Sequence, residues 1–264
     1  MKLGFIGCGN MAQAMIKGII KQQIIKPEDI LAYDVYKEGL QRAHDTMGIT
    51  AVKDNAEIMD KADIIFLAVK PYLYEDLGKE IRDLIKPDQI IVTIAPGKTL
   101  AWMAENFGEN VKIVRSMPNT PSMVGEGMTG LCHNKLVSKE EIDNVCKIMR
   151  SFGRAEIVPE YLMDVVVAVS SSSPAYVFMF IEAMADAASA DGMTRAQAYQ
   201  FAAQAVYGSA KMILETHKHP GQLKDMVCSP GGTTLEAIRV LESHKLRSSV
   251  FEAMKACVIH SKNI

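Results

Sequence analysis

The segment Phe5-Ile6-Gly7-Cys8-Gly9-Asn10-Met11-Ala12 constrains this chain most, because it joins an apolar run to a helical pattern through small residues at fixed spacing. Gly7, Gly9 and Ala12 stand as G-x-G-x-x-A. The first glycine permits a tight turn, the second lets a pyrophosphate approach the backbone, and the alanine lets helix and strand pack closely. Free amides at the helix start then attract the phosphates. The runs "KLGFIG", "ILAYD", "DIIFLAV", "QIIVTIA" and "VKIVRSM" are rich in Ile and Val without clean alternation, as strands buried on both faces are. Amphipathic stretches separate them, which predicts a mostly parallel sheet covered by helices on both faces. A glycine turn in another kind of α/β protein is the alternative; the strand before the motif and the helix after it favour a dinucleotide.

The rhythm stops near residue 160. The expected organisation is a Rossmann-type dinucleotide-binding domain over 1–160, followed by an all-helical domain over 161–264. In the second part Ser173 and Pro174 suit a helix cap and first position, and Thr194 with Gln197 reads as a capping box. The stretches "PAYVFMFIEAMADAASADGM" and "AYQFAAQAVYGSAKMIL" are apolar nearly all round, and Gly208, Ser209 and Ala210 let backbones approach closely. A domain of about a hundred residues cannot bury such helices alone. A second subunit or the nucleotide domain must cover them, and the subunit is preferred, making the helical part a dimerisation domain.

Composition narrows the partners. With 29 basic and 31 acidic residues well interspersed, the net charge of -2 offers no footprint for nucleic acid or anionic lipid. The odd set Cys8, Cys132, Cys146, Cys228 and Cys257 contains no CxxC, which argues against a disulfide framework or zinc, and no metal is expected. A reducing cytoplasm fits. The first residues, "MKLGFIG", are already strand-like and no unbroken apolar run is long enough to span a bilayer, so neither a signal peptide nor a membrane anchor is expected.

Other positions suggest roles. Asp34, at the end of the second strand, can accept hydrogen bonds from the adenosine ribose and favour NADH, while neighbouring Lys37 could serve a ribose phosphate. Lys70 in "AVKP" and Asn119-Thr120 in "MPNTP" follow strands on the side where open α/β sheets bind ligands. Late in the chain, "CSPGGTTLEAI" places Thr233 and Glu236 three apart before an apolar run, a capping box behind the pliant Gly231-Gly232 pair. Such a helix start with free amides suits a small carboxylate, and Thr234 could present a hydroxyl to the reacting atom. A plain loop and cap is the alternative. His217 and His219 read as solvated turn residues.

The motifs "GFIGCGNMA", "AVKP", "PNTP", "SSPAYVFMFIEAMADAA" and "HPGQLKDMVCSPGGTT" together make the chain resemble the pyrroline-5-carboxylate reductase family nearly end to end. That resemblance implies reduction of 1-pyrroline-5-carboxylate to L-proline by hydride transfer from NADPH or NADH. It also implies interlocked subunits, a homodimer or a larger ring of dimers. By the same resemblance Ile6, Gly7, Cys8, Gly9, Asn10 and Met11 wrap the pyrophosphate. Asn55 with Ala68, Val69, Lys70 and Pro71 lines the riboses, and Ala95 with Gly97 lies along the nicotinamide. Ser229, Gly231, Gly232, Thr233 and Thr234 form the substrate site, with the Thr234 hydroxyl on the ring nitrogen. Three departures stand out: Ser171 where the family often has glycine, Pro96 where alanine is usual, and Asp34 where many members carry neutral or hydroxyl residues. A related imine or β-hydroxyacid reductase, or a non-catalytic dinucleotide sensor, are the rival readings.

Overall fold

A computed structural model describes residues 1–263. It divides into two compact units: Met1–Ser172 with the residues from Cys257 onward, and Ser173–Ala256. The first unit alternates strands and helices in chain order. These are β1 (Leu3–Ile6), α1 (Asn10–Lys21), β2 (Ile30–Tyr33), α2 (Lys37–Met47), β3 (Thr50–Ala51), α3 (Asn55–Lys61), β4 (Ile64–Leu67) and α4 (Tyr74–Ile81). There follow β5 (Ile90–Thr93), α5 (Leu100–Phe107), β6 (Lys112–Met117), β7 (Gly127–His133), α6 (Lys139–Met149), β8 (Gly153–Ile157) and α7 (Met163–Val166).

The strands form one sheet in the order β3-β2-β1-β4-β5-β6-β7-β8. β1 to β6 run parallel, β7 pairs antiparallel with β6, and β8 runs parallel to β7. The winding reverses at β1, which lies between β2 and β4, and this opens a crevice at their carboxyl ends. Both sheet faces are buried, which explains the unbroken Ile and Val runs. On one face Leu3, Phe5 and Phe66 meet Met15, Ile16 and Ile19 of α1. On the other Ile6, Ile65 and Ile91 meet Ile58 of α3, Tyr74 of α4 and Phe107 of α5. Phe5 and Phe66 stack with ring centroids 4.8 Å apart. Each large side chain so buried contributes about 1.5–3 kcal/mol. A Ser138–Glu141 capping box starts α6, and Glu141 also pairs with Lys112 at 2.6 Å.

Beyond α7 a π-helical turn, Val167–Ser171, leads straight into α8 (Ser173–Ala190). Ser173 is therefore helical rather than a cap, because Ser172 before it already has helical dihedrals. α9 (Arg195–Thr216), α10 (Pro220–Val227), α11 (Thr233–Ser243) and α12 (Leu246–Ser261) complete the chain. Thr194 caps α9 by accepting from the Gln197 amide; the Gln197 side chain meets the Thr194 hydroxyl at 2.7 Å. His217 and His219 are turn residues, the first in left-handed conformation ending α9, the second capping α10 by accepting from the Gly221 amide.

In the second unit, taken by itself, α8 buries only Ala185 among its residues, and α9 only Ala198 and Ala202. Phe178 is 63% exposed and Met179 70%. These helices lack a cover, as their sequence implies. The stretch Glu160–Ala190 is long and apolar enough to cross a membrane by length and composition alone, contrary to the expectation that no apolar run is. The four serines interrupt the apolar run without adding charge, so the average stays high.

Candidate active site

The glycine turn is built from both sides. The Gly7 amide donates to the Tyr33 carbonyl at 2.8 Å, and its φ of 95° is a left-handed conformation that favours glycine. A Cβ there would lie 2.7 Å from the Ala68 carbonyl oxygen. Gly9 is the N-cap of α1 and makes no side-chain cap bond, and a Cβ on it would meet nothing within 4 Å. The first-turn amides thus open on free space, the arrangement a pyrophosphate needs. The Cys8 peptide is pinned twice: its amide donates to Asp34 Oδ2 at 2.6 Å, and its carbonyl accepts from Gln13 Nε2 at 2.8 Å. Asp34 Oδ1 accepts from the Tyr36 amide at 2.9 Å, and Lys37 Nζ rests over the Tyr33 ring, 4.0 Å from its centroid. Burial, and then the Asp34 charge, push the Cys8 thiol up to about 11.

A cleft of 940 Å³ opens at the carboxyl ends of the parallel strands. It brings together Ile6, Gly7, Gly9, Asn10, Met11, Asp34, Asn55, Ala68, Val69, Lys70, Pro71 and Ala95 from the expected cofactor set. Two of that set stand apart. Cys8 faces a neighbouring hollow of 220 Å³ beside Arg42, because Asp34 and Gln13 hold its peptide. Gly97 is absent from the cleft wall, since the chain turns at its φ of 75° and Pro96 takes the wall position.

The cleft also holds Asp76, Glu80, Thr120, Ser171 and Ser172, and nothing in the sequence marks Asp76 or Glu80. Glu80 Oε1 accepts from Asn55 Nδ2 at 3.0 Å, while Asn55 Oδ1 is buried and unpartnered. Asn119 serves the fold: Nδ2 donates to the Ser170 carbonyl at 3.1 Å and Oδ1 accepts from the Met128 amide at 2.8 Å. Among the described residues no group of His, Cys, Asp and Glu is placed to hold a metal.

The turn before α11 follows from Ser-Pro-Gly-Gly. The Gly232 amide donates to the Ser229 carbonyl at 3.0 Å, with Pro230 and Gly231 between and Gly231 at φ 69°. That is the pattern of a turn with proline second and a left-handed glycine third. The expected Thr233–Glu236 capping box does not form. Gly232 is the N-cap, no side chain caps the helix, and Glu236 Oε2 instead accepts from Arg239 Nε at 2.9 Å. The turn has already supplied an extended residue at Gly232, so Thr233 enters the helix, and no side chain caps the amides at its start.

A sheet wound both ways from a phosphate-ready glycine turn, carried with an apolar helical unit, defines a dinucleotide-dependent oxidoreductase of two parts. Comparison with known proteins refines this class. Residues 160–264 match the family described as pyrroline-5-carboxylate reductase dimerisation, and residues 2–97 match NADP oxidoreductase coenzyme F420-dependent. The pyrroline-5-carboxylate reductase of Escherichia coli (strain K12) is 51% identical over 263 residues, covering 100% of this chain and 98% of that protein. A Coxiella burnetii pyrroline-5-carboxylate reductase structure superposes with a TM-score of 0.93 at 35% identity, covering 99% and 97% of the two chains. The Plasmodium falciparum pyrroline carboxylate reductase with NADP bound gives 0.91 at 33% identity, covering 100% and 97%. The chain belongs to the pyrroline-5-carboxylate reductase family.

Proposed function

We propose that this chain reduces 1-pyrroline-5-carboxylate to L-proline with NADPH or NADH, the last step of proline biosynthesis. The observation that carries the reading is the match along the whole chain, at 51% identity, to an enzyme of that name. The open glycine turn, the wide cleft and the buried unpartnered Asn55 oxygen fit a dinucleotide. When bound, the reduced dinucleotide supplies the hydride for the C=N carbon.

The chain's own task is to bind and align. Residues 1–160 hold the cofactor: the amides after Gly9 take the pyrophosphate, Asn55 and Ala68 to Pro71 line the riboses, and Ala95 borders the nicotinamide. Residues 161–264 dimerise and hold the substrate. The Thr233 and Thr234 amides take its carboxylate, and the turn closed from Ser229 to Gly232 holds Gly231 and Gly232 beside it. The Thr234 hydroxyl bonds the ring nitrogen as it gains basicity, which is the residue's catalytic role. The uncovered apolar faces of α8 and α9 are where subunits meet, as a homodimer or a ring of dimers in the cytoplasm.

Loss of reduced-cofactor absorbance on adding the cyclic imine, with either dinucleotide, tests the activity. No turnover with this imine but turnover with other imines or β-hydroxyacids moves the assignment to a related reductase, and dinucleotide binding without any turnover makes the protein a sensor. Light scattering that finds a monomer at micromolar concentration rules out the dimer.

A further inference from the structure

Glu80 lies on α4, and neither a strand end nor a glycine motif marks it in the sequence. A carboxylate only accepts hydrogen bonds, so its 3.0 Å bond from Asn55 Nδ2 settles which way the amide stands. The nitrogen turns to Glu80 and Oδ1 is left buried without a partner, on a residue only 6% exposed. Such an oxygen is costly to leave unmatched, and a donor arriving with a ligand removes that cost. Asp34 belongs to the same edge of the sheet. β2 and β3 pair through Ala32 and Ala51, and Asp34 and Asn55 follow the two strand ends. Each Asp34 oxygen accepts one amide, which leaves a lone pair for a hydroxyl.

We infer that Glu80 is a positioning residue for cofactor choice: by fixing the Asn55 amide it makes the adenosine end of the cleft an acceptor of hydrogen bonds, which selects a ribose with free hydroxyls over a 2′-phosphorylated one. The inference rests on the dinucleotide reading of the cleft. A ribose diol brings the two donors that Asn55 Oδ1 and Asp34 lack. A 2′-phosphate replaces one donor with negative charge on a wall that already carries Asp34, Asp76 and Glu80. Cations nearby include Lys70 on the cleft wall, Lys37 over the Tyr33 ring, Arg42 in the neighbouring hollow and Lys53 beside Asp54.

Calorimetric binding of 5′-AMP and of adenosine 2′,5′-bisphosphate to the full chain tests this without catalysis. Wild type is expected to bind 5′-AMP more tightly. Glu80→Asp keeps the charge but shortens the reach, and is expected to narrow that preference by about fivefold, one hydrogen bond's worth. Combining Glu80→Gln with Asn55→Asp exchanges donor and acceptor, and is expected to restore it. An unchanged preference in Glu80→Asp, in protein whose circular dichroism matches wild type, overturns the positioning role. Tighter wild-type binding of the bisphosphate, with Arg42 as its anchor, overturns the selection. Failure of both nucleotides to bind wild type overturns the dinucleotide reading itself.

Discussion

Asp34 Oδ2 accepts the Cys8 amide at 2.6 Å, so the acidic residue after β2 is part of the glycine loop as well as a candidate for the ribose. Replacing it removes two backbone hydrogen bonds and a negative charge together. Asp34→Ser is expected to raise kcat/KM with NADPH relative to NADH while lowering the melting temperature, since charge-assisted bonds contribute about 1.5–3 kcal/mol each. Kinetics with both cofactors and a thermal melt check the two effects separately. A melting change with no change in the cofactor ratio leaves Asp34 as a loop anchor alone.

The buried thiols give a pH dependence of defined sign. Burial first, then Asp34, pushes Cys8 from its ordinary 9.0 up to about 11. Burial and Glu160 push Cys132 up to about 12, against the pull of Arg115. The folded state keeps both thiols neutral where the unfolded chain ionises them. Their stabilising contribution is therefore complete below pH 9.0 and is lost as pH rises through about 11 and 12. Cys8→Ala is expected to reduce the fall in melting temperature over that window. At about pH 8 iodoacetamide should label Cys228 ahead of Cys8, Cys132 and Cys146, as peptide mass mapping will show.

Asn119 ties the loop after β6 to β7 and to the π-helical turn through Met128 and Ser170. Asn119→Ala removes the acceptor of the Met128 amide and the donor to Ser170, and is expected to destabilise by about 1–3 kcal/mol. Asn119→Asp keeps the acceptor for Met128 but sets a buried carboxylate oxygen against the Ser170 carbonyl, and should cost at least as much as the alanine. Melts at one fixed protein concentration compare the three proteins, because subunit association shifts the transition.

The parallel strands β1, β2, β4, β5 and β6 were legible because Ile and Val runs buried on both faces need no alternation, whereas the two residues of β3 carry no such run. β7 and β8 were not: "GMTGLCH" and "GRAEI" are too polar and glycine-rich to declare themselves, and pairing at the sheet edge makes them strands. The cofactor side of the site was readable from Gly7, Gly9 and the strand ends, whereas Glu80 meets Asn55 across 25 positions and leaves no local signal. The Thr233 cap that the spacing predicts gives way to a local competitor. Spacing identified a box, but Pro230 and Gly231 deliver Gly232 in extended form one residue earlier, and Arg239 draws Glu236 away.

That correction changes what the two threonines of α11 should do. A capping threonine costs about 1 kcal/mol when replaced by alanine, but Thr233 makes no cap bond. Thr233→Ala is therefore expected to stay within about 0.5 kcal/mol of wild type in stability. Its backbone amide survives the change, so most of the activity should too. Thr234→Ala should lose a hydrogen bond to a nitrogen that becomes basic during hydride transfer, about 1–3 kcal/mol of transition-state stabilisation, or roughly tenfold to a hundredfold in kcat/KM. Thr234→Ser returns the hydroxyl and should recover most of that loss, whereas Thr234→Val keeps the shape without it and should not. Steady-state kinetics and melts on the four variants decide: if Thr234→Val matches wild type, the hydroxyl has no part in the reaction, and alignment of an already protonated imine carries it.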